Sequence, residues 1–499
     1  MALPDVVWSN IIVQLRLPFG CHELACRGPY LERSELDSLA ALACLGRTSS
    51  RLRILAERAL YSGLPAADTR LRGRLISAIR QNPRLAGHVQ AAELGDAYMT
   101  RDEFLALVRP PAAHEAQHPG STSATHRSLA DRIGTMRDLP DYSEEFADAW
   151  PAHIIGLVPN IKFLDITMSN IITILPSVFR EAARVGGEHN ESQGDSSTRS
   201  SLHSPTGNSS PITATRPSSA PLSQLEEIVV RRVGETKGAL RIQLFEDLLL
   251  LPRLRKFHGQ CVDLNTELST RTRTSQPASS LTHVVIAHSL AEAAGILDLL
   301  RVCPFLRTLR IHWGDSTVGD AAPDWDEIGN SLREYGSNLE VLDLDCRDCL
   351  MYDMGECNGK IGSLRDLRRL RHLSLPQDVL LGNEDMLSGL DNLGDSDGDE
   401  GGGAKDNLHD ELDSIVSLEP LLPESLESLH LYSCYEEEEW VRHCVQMVLR
   451  SRRLDNLSHI QLGGISELNL PFSETGWERK MSKAHLNIHR VRPPMGLDQ

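Results

Sequence analysis

The stretch SLAEAAGILDLLRVCPFLRTLRI, residues 289–311, holds one complete unit of the architecture. Its first part, Ser289 to Cys303, carries apolar residues at helical spacing. Pro304 then ends that helix and reverses the chain, because proline disfavours the helical conformation in the residue before it. Leu306, Leu309 and Ile311 follow at i, i+3 and i+5, the pattern of a short strand. Helix, turn and short strand make one layer.

The same aliphatic spacing begins at Val89 (VQAAEL), Ile161 (IKFLDI), Leu225 (LEEIVV), Leu254 (LRKFHG, imperfect), Leu281 (LTHVVI), Leu306 (LRTLRI), Leu339 (LEVLDL), Leu370 (LRHLSL), Leu426 (LESLHL) and Leu457 (LSHIQL). Adjacent copies from Leu225 to Leu370 lie 25 to 33 residues apart, close to the roughly 20–29 residues of a leucine-rich repeat. Leucine content alone would yield about one or two strict LxxLxL matches in such a chain. The context adds the weight: helical segments precede several copies, namely LRIQLFEDLLL before Leu254, DEIGNSLREYG before Leu339 and EEEEWVRHCVQMVLRSRR before Leu457. Pro159-Asn160, Pro252 and Asn338 punctuate strand entries as Pro304 does. One strand and one helix cannot bury their shared leucine face alone, whereas stacked copies form a continuous core. The expected fold is α/β: a leucine-rich repeat solenoid, a horseshoe with parallel strands on its concave face and helices outside. An ordinary α/β domain of alternating strands and helices is the competing arrangement.

Four segments interrupt the rhythm, near 110–127, 186–221, 270–280 and 391–410. They are rich in Ser, Thr, Pro, Gly and His, or, in DNLGDSDGDEGGGAKD, in Asp and Gly. Such compositions lack the apolar surface that offsets ordering entropy, so they read as disordered insertions. Three of them fall in the long intervals of 72, 64 and 56 residues.

Residues 1–62 have a different character. Leu3, Pro4, Val7, Ile11, Ile12 and Leu15 fall at helical spacing, with Pro4 at a helix start. After a helix-free stretch containing Gly20, Gly28 and Pro29, the run LDSLAALACLGRTSSRLRILAERALY (36–61) resumes the helical period, and Arg47-Thr48-Ser49-Ser50 supplies an N-cap between two helices. A three-helix module is expected.

These residues resemble the F-box, the docking module of cullin-type ubiquitin ligase substrate receptors. LPDVVWSNIIVQL resembles its opening, and LAALACLGRTSSRLRILAERALY its second half as found in filamentous-fungal members. LRGRLISAIRQNPRLAGHVQAAEL is similar to the helix and strand that open the repeats in such proteins. The chain departs from the pattern by placing its acid at Asp5 rather than at Val6, and by inserting Arg16 to Glu35 in place of a short loop. The resemblance implies domains at 1–62 (F-box-like module), 63–470 (repeats with insertions) and 471–499 (C-terminal tail). It implies a Skp-family adaptor, and through it a cullin, held by Leu3, Pro4, Val7, Ile11, Leu15, Leu39, Leu42 and Leu52. An unidentified protein substrate would meet the repeats.

Strand alternation places the residues between the repeat leucines on the concave face. That column collects Glu227, Lys256, His258, His283, Arg310, His312, Asp343, His372, His430, Tyr432, His459 and Gln461. Within it Arg310, His312, Asp343, His372, His430, Tyr432 and His459 are the candidate substrate-binding residues. The column is polar and rich in histidine, and solvated strand positions that tolerate any polar residue would look the same.

A formal net charge of −18 demotes nucleic acid as a partner. MALPDVVWSN lacks a basic n-region and no apolar run approaches a membrane span, which points to a cytoplasmic or nuclear protein. Ten scattered cysteines suit buried thiols. Cys346, Cys349 and Cys357 lie close together, but structural zinc needs a fourth ligand. Asp395, Asp397 and Asp399 mimic a calcium loop whose sixth position is Glu400 instead of Gly. No phosphate loop, GxSxG elbow or HExxH helix occurs. The expectation is a non-enzymatic interaction protein with no metal and no cofactor. A repeat scaffold or inhibitor without ligase attachment is the second possibility, and an unrecognised enzyme on a solenoid scaffold a weaker third.

Overall fold

The computed structural model describes residues 5–15, 33–64, 69–95, 148–168, 172, 174–194, 221–232, 238–265, 267–269, 272–273, 279–314, 318, 321–349, 359–382, 418–432, 451, 453–463 and 485–489. They fall into two compact units, one of Met1–Thr236, Leu240–His258 and Thr274–Leu281, the other of Lys237–Ala239, Gly259–Arg273 and Thr282–Gln499. The expected insertions at 110–127 and 391–410, and most of those at 186–221 and 270–280, lie outside the described residues, as do the stretch 16–32 and the Asp395–Asp399 run.

The first unit opens with α1 (Asp5–Gln14), α2 (Arg33–Thr48) and α3 (Ser50–Leu60). Ser49 breaks the long helical run as expected: its backbone is extended, and its Oγ accepts from the Leu52 N–H at 3.1 Å. α1 and α2 both pack on α3, around buried Ile12, Leu42 and Ala56. Then come β1 (Gly63–Leu64), α4 (Thr69–Gln81), β2 (Ala91–Leu94), α5 (Ala149–Leu157), β3 (Phe163–Met168), α6 (Leu175–Gly194), β4 (Glu227–Arg232), β5 (Leu240–Arg241) and β6 (Lys256–Gln260), the last within this unit as far as His258. β1, β2, β3 and β4 pair in parallel, each beside the next. α6 runs to Gly194, into a stretch whose composition reads as insertion. Its start is capped from a distance, the buried Asp148 Oδ2 accepting from the Ile174 and Leu175 N–H groups at 2.6 and 2.8 Å.

The second unit holds β7 (Val262–Leu264), β8 (His283–Ala291), α7 (Ala293–Val302), β9 (Thr308–Trp313), α8 (Trp325–Tyr335), β10 (Val341–Asp345), β11 (His372–Pro376), α9 (Gln377–Leu381), β12 (Ser428–Tyr432), β13 (His459–Gly463) and β14 (His485–His489). From β8 to β14 the strands pair in parallel in chain order. β14 carries the sheet into residues that read from sequence as tail.

Every one of the ten aliphatic copies has a strand beginning two residues after its first apolar residue. In eight of them that first residue donates its N–H to the carbonyl three places earlier, as Leu225 does to Leu222, Leu254 to Leu251, Leu306 to Cys303 and Leu370 to Leu367. Such turns commit the chain to reversal before the strand starts. Within the second unit, the second residue of each copy then receives a forked pair of bonds: Thr282 O accepts from Arg307 and Thr308 N–H, Arg307 O from Glu340 and Val341, Glu340 O from Arg371 and His372, Arg371 O from Glu427 and Ser428. The fork fixes the register of each strand on the next.

Asparagine adds a side-chain bridge at the same place. Asn338 Nδ2 donates to Pro304 O at 2.8 Å, Asn456 Nδ2 to Glu424 O at 2.9 Å and, in the first unit, Asn160 Nδ2 to Gly87 O at 2.9 Å. Each Asn precedes one copy and reaches the carbonyl two residues before the previous copy. Sequence reading gives Asn160 and Asn338 only the role of ending a helix and reversing the chain, and passes over Asn456; the structure gives all three a bond between repeats.

Two helical readings are corrected. LRIQLFEDLLL forms β5 followed by 3₁₀ turns at Ile242–Leu244 and Glu246–Leu250, not an α-helix. Residues Glu246, Asp247, Leu248 and Leu249 are all buried, so the segment lacks the single apolar stripe of a surface helix, and tight turns accommodate burial on every side. Residues Ser289 to Ala291 belong to β8, because a register shift between Ile286 and Ser289, with His288 at φ 48°, lets that strand continue. α7 therefore begins only at Ala293.

Close packing of the helices depends on glycine at two points. A Cβ on Gly295 of α7 would lie 1.8 Å from Leu264 O, and one on Gly329 of α8 would lie 1.9 Å from Ile361 O. Between these helices and the strands, Trp313 and Trp325 meet edge to face at 5.4 Å, and the Trp313 Nε1–H donates to Ala291 O at 2.9 Å.

Candidate functional site

The two units differ in what their strands bury. β2 and β3 are buried almost throughout, and Ala91, Phe163 and Val229 cluster on the face where the alternation expects solvent. The reason is compositional: these strands carry apolar residues at both parities, as strands covered on both faces do. In the second unit β9, β10, β11, β12 and β13 alternate between buried leucine or isoleucine and accessible polar residues. The polar face expected from sequence is open there.

The register sorts the candidate residues into rows. Arg310, Asp343, Ser374, His430 and Gln461 stand side by side on successive strands. His312 and Asp345 form the next row, as do Pro376 and Tyr432. His372 and His459 lie one row earlier, with Ser428 between them. All share one face, but only some meet.

A hydrogen-bonded cluster occupies the middle of that face. The Tyr432 hydroxyl donates to Asp343 Oδ1 at 2.7 Å, and His312 Nε2 lies 3.4 Å from Asp343 Oδ2, within ion-pair reach. Arg347, just after β10, makes two bonds to Asp345, Nε to Oδ1 at 2.9 Å and Nη2 to Oδ2 at 2.8 Å. Its guanidinium also lies over the Tyr432 ring, 4.4 Å from the centroid, while the His430 ring meets the same tyrosine edge-on at 4.2 Å. Tyr432 is thereby covered on several sides and only 7% exposed. Expected from sequence among the candidate substrate-binding residues, it is buried and supports the cluster. Arg347 is the contributor that strand alternation could not find, because it lies beyond the strand, on the turn that follows.

The electrostatics follow from these contacts. Hydrogen bonding to Asp343 raises the His312 pKa, against the opposing effect of its burial, and so favours the imidazolium. Burial pushes the Asp345 carboxyl up, but the bonds and charge of Arg347 outweigh it and the net shift is downward. Burial, and then the Asp343 charge, push the Tyr432 phenol well above its usual value. Asp345 is kept as the ionised partner of Arg347. The side chains of Arg310 and His372 are exposed and make no hydrogen bond or ion pair among the described residues.

The N-terminal candidates divide similarly. Val7 and Ile11 are exposed, Leu15, Leu39 and Leu52 are half-buried, and Leu42 is fully buried in the core of the helical module; Leu3 and Pro4 lie outside the described residues. Val6 and Ile54, which the sequence reading passes over, are exposed as well.

Cys346 and Cys349 are both buried; the Cys349 thiol donates to Ala321 O at 3.1 Å, and burial pushes the Cys346 thiol far up. Cys357 lies outside the described residues. Among the described residues no group of three or more His, Cys, Asp or Glu side chains is placed to hold a metal, and no helix is long and apolar enough to cross a membrane.

Among known proteins, no family model matches the chain, and no curated protein matches it either. A solved structure of an internalin from Listeria monocytogenes aligns at 12% identity over 68% of this chain and 71% of that one, with a TM-score of 0.28. The repeat architecture rests on this chain's own ten strand positions and their parallel registers.

Proposed function

We propose that the chain is a non-catalytic substrate-recognition subunit of a cullin-type ubiquitin ligase, its N-terminal helices taking a Skp-family adaptor and its repeats a protein substrate. The observation that carries the first half is where apolar surface is left uncovered. Of the five large apolar side chains exposed among the described residues, Val6, Val7 and Ile11 lie on α1 and Ile54 on α3, two helices that pack together; the fifth is Phe305. An apolar surface on a small helical module is what a docking partner covers. The module is also the part of the sequence that resembles the F-box.

The second half is supported by the open polar face of β9 to β13, where the cluster around Asp343 gives a preorganised, half-buried surface. Such a face on stacked repeats suits capture of another protein. Catalysis would lie in other subunits.

The direct test is co-expression of the full chain with a Skp-family adaptor and recovery on a tag. Wild type should retain the adaptor. Ile11→Asp combined with Leu15→Asp should lose it while keeping its circular dichroism, since each buried aliphatic side chain contributes about 1.5–3 kcal/mol at such an interface. Unchanged recovery by a folded double variant would leave the second reading, a repeat scaffold or inhibitor without ligase attachment.

A further inference from the structure

On the open face of the second unit the acids are already engaged. Asp343 has one oxygen bonded by Tyr432 and the other facing His312, and Asp345 is held by both nitrogens of the Arg347 fork. What the face presents outward is cationic or a hydrogen-bond donor: Arg310 directly beside Asp343 in the register, and, one row earlier and two strands from Arg310, the exposed imidazole of His372. A guanidinium that is exposed, flanked by a fixed carboxylate cluster and without an ion pair among the described residues keeps its five donors for a ligand.

We infer that this face binds an acidic peptide segment, with a partner carboxylate on the Arg310 guanidinium and a second acidic side chain reaching the exposed imidazole of His372. The inference rests on the reading of this face as the capture surface and adds to it the chemical class of what is captured. Charge complementarity selects the class. A basic partner would meet Arg310 and His372 with no carboxylate left over, because Asp343 and Asp345 already have their counter-groups. Arg310 and His372 stand two strands apart, about 10 Å laterally at roughly 5 Å per strand, and one row apart, so acidic side chains about four residues apart on an extended segment crossing the strands would reach both. The Asp343–Tyr432 bond and the Arg347 stack hold the floor beneath the ligand, which lowers the ordering cost of binding.

The experiment uses the full-length chain and fluorescence anisotropy of a dye-labelled oligoglutamate peptide at low salt, with oligolysine and single-stranded oligothymidylate as probes of other classes. Oligoglutamate should bind saturably and oligolysine should not. Arg310→Gln should weaken oligoglutamate by about tenfold, the loss of a charge-assisted bond, and Arg310→Lys by less. Arg371→Gln, which removes an equally exposed cation at the strand entry instead of on this face, should leave binding unchanged. Oligothymidylate binding that is equally tight and equally lost in Arg310→Gln would assign the face to nucleic acid and overturn the inference. So would oligoglutamate binding indifferent to Arg310→Gln. A parallel comparison of proteins co-purifying with wild type and Arg310→Gln separates the two levels. A changed set with unchanged oligoglutamate affinity keeps the face as capture surface and rejects the acidic class; no change in either rejects both.

Discussion

Tyr432 and Asp343 stand 89 residues apart in the chain and on strands separated by β11, yet the hydroxyl of one donates to the carboxylate of the other at 2.7 Å. A bond that skips a strand ties three repeats together at one point. It also gives Asp343 a defined position from which to act on His312.

The His312 titration should report that arrangement. Its folded-state pKa is raised above the ordinary 6.5 by the Asp343 bond. The stabilisation from the charged imidazole is therefore fully present below that ordinary value and is lost as pH rises through the higher folded value. The groups facing it are Asp343 and Asp345 on β10 and Arg310 on its own strand. NMR titration of His312 in the full chain should show the upward shift, and Asp343→Asn should remove it. A midpoint at or below 6.5 in wild type would contradict the geometry.

Glycines on the helices should divide sharply by location. Gly329→Ala and Gly295→Ala place a methyl against a backbone carbonyl under 2 Å away, so helix or neighbour must move, and each should lower stability by about 1–3 kcal/mol. Gly73 in α4 has nothing within 4 Å of its Cβ position, and Gly73→Ala should raise stability by about 0.4–1 kcal/mol. Urea melts of the three variants followed by circular dichroism would check both signs.

The carboxylate of Asp148 makes a third target. It accepts from two buried backbone N–H groups at the start of α6, and Asp148→Ala would leave both without that acceptor. The expected loss is about 2–6 kcal/mol, from roughly 1–3 kcal/mol for each of the two unsatisfied buried groups. Hydrogen exchange should show the change concentrated in the first turn of α6. Uniform exchange throughout the unit would argue against a local cap.

Asn338 offers a gentler probe. Its amide links Asn338 to Pro304 O and accepts from Arg369 Nη1 at 2.8 Å. Asn338→Ala should cost about 1 kcal/mol, whereas Asn338→Asp should keep only the second contact. Equal melting of wild type and Asn338→Ala would show that water replaces the bridge without loss.

The ten strands were legible because the spacing of apolar residues reports directly which side chains enter a core, and all ten begin at the same offset from their first leucine or its substitute. The chain reversal at Pro or Asn was legible too, but the hydrogen-bonded turn starting three residues before the copy was not, although its signal is present. The residue three places before the copy is buried in Leu222, Leu251, Cys303, Leu367 and Leu454, which extends the motif upstream. The face of the first unit misled because alternation predicts parity and not coverage; Phe163 and Val229 lie where parity put them but are buried. Tyr432 is buried for a related reason. Its parity is right, but Arg347 reaches over it from a turn that no strand pattern describes.

At the strand entries of the second unit, the four residues after Thr282 whose carbonyls take the forked bonds also alternate in sign: Arg307, Glu340, Arg371, Glu427, with Arg307–Glu340 and Arg371–Glu427 each at 3.6 Å. These pairs are exposed and each contributes little alone. Their order nevertheless imposes a parity on the array. Excising the single repeat that begins at Leu339 would set Arg307 against Arg371, whereas excising the two that begin at Leu339 and Leu370 would set Arg307 against Glu427 and restore an opposite pair. Shortened chains should therefore tolerate the loss of an even number of repeats here better than the loss of an odd one, a difference that melting in low and high salt would reveal as present in the first and diminished in the second.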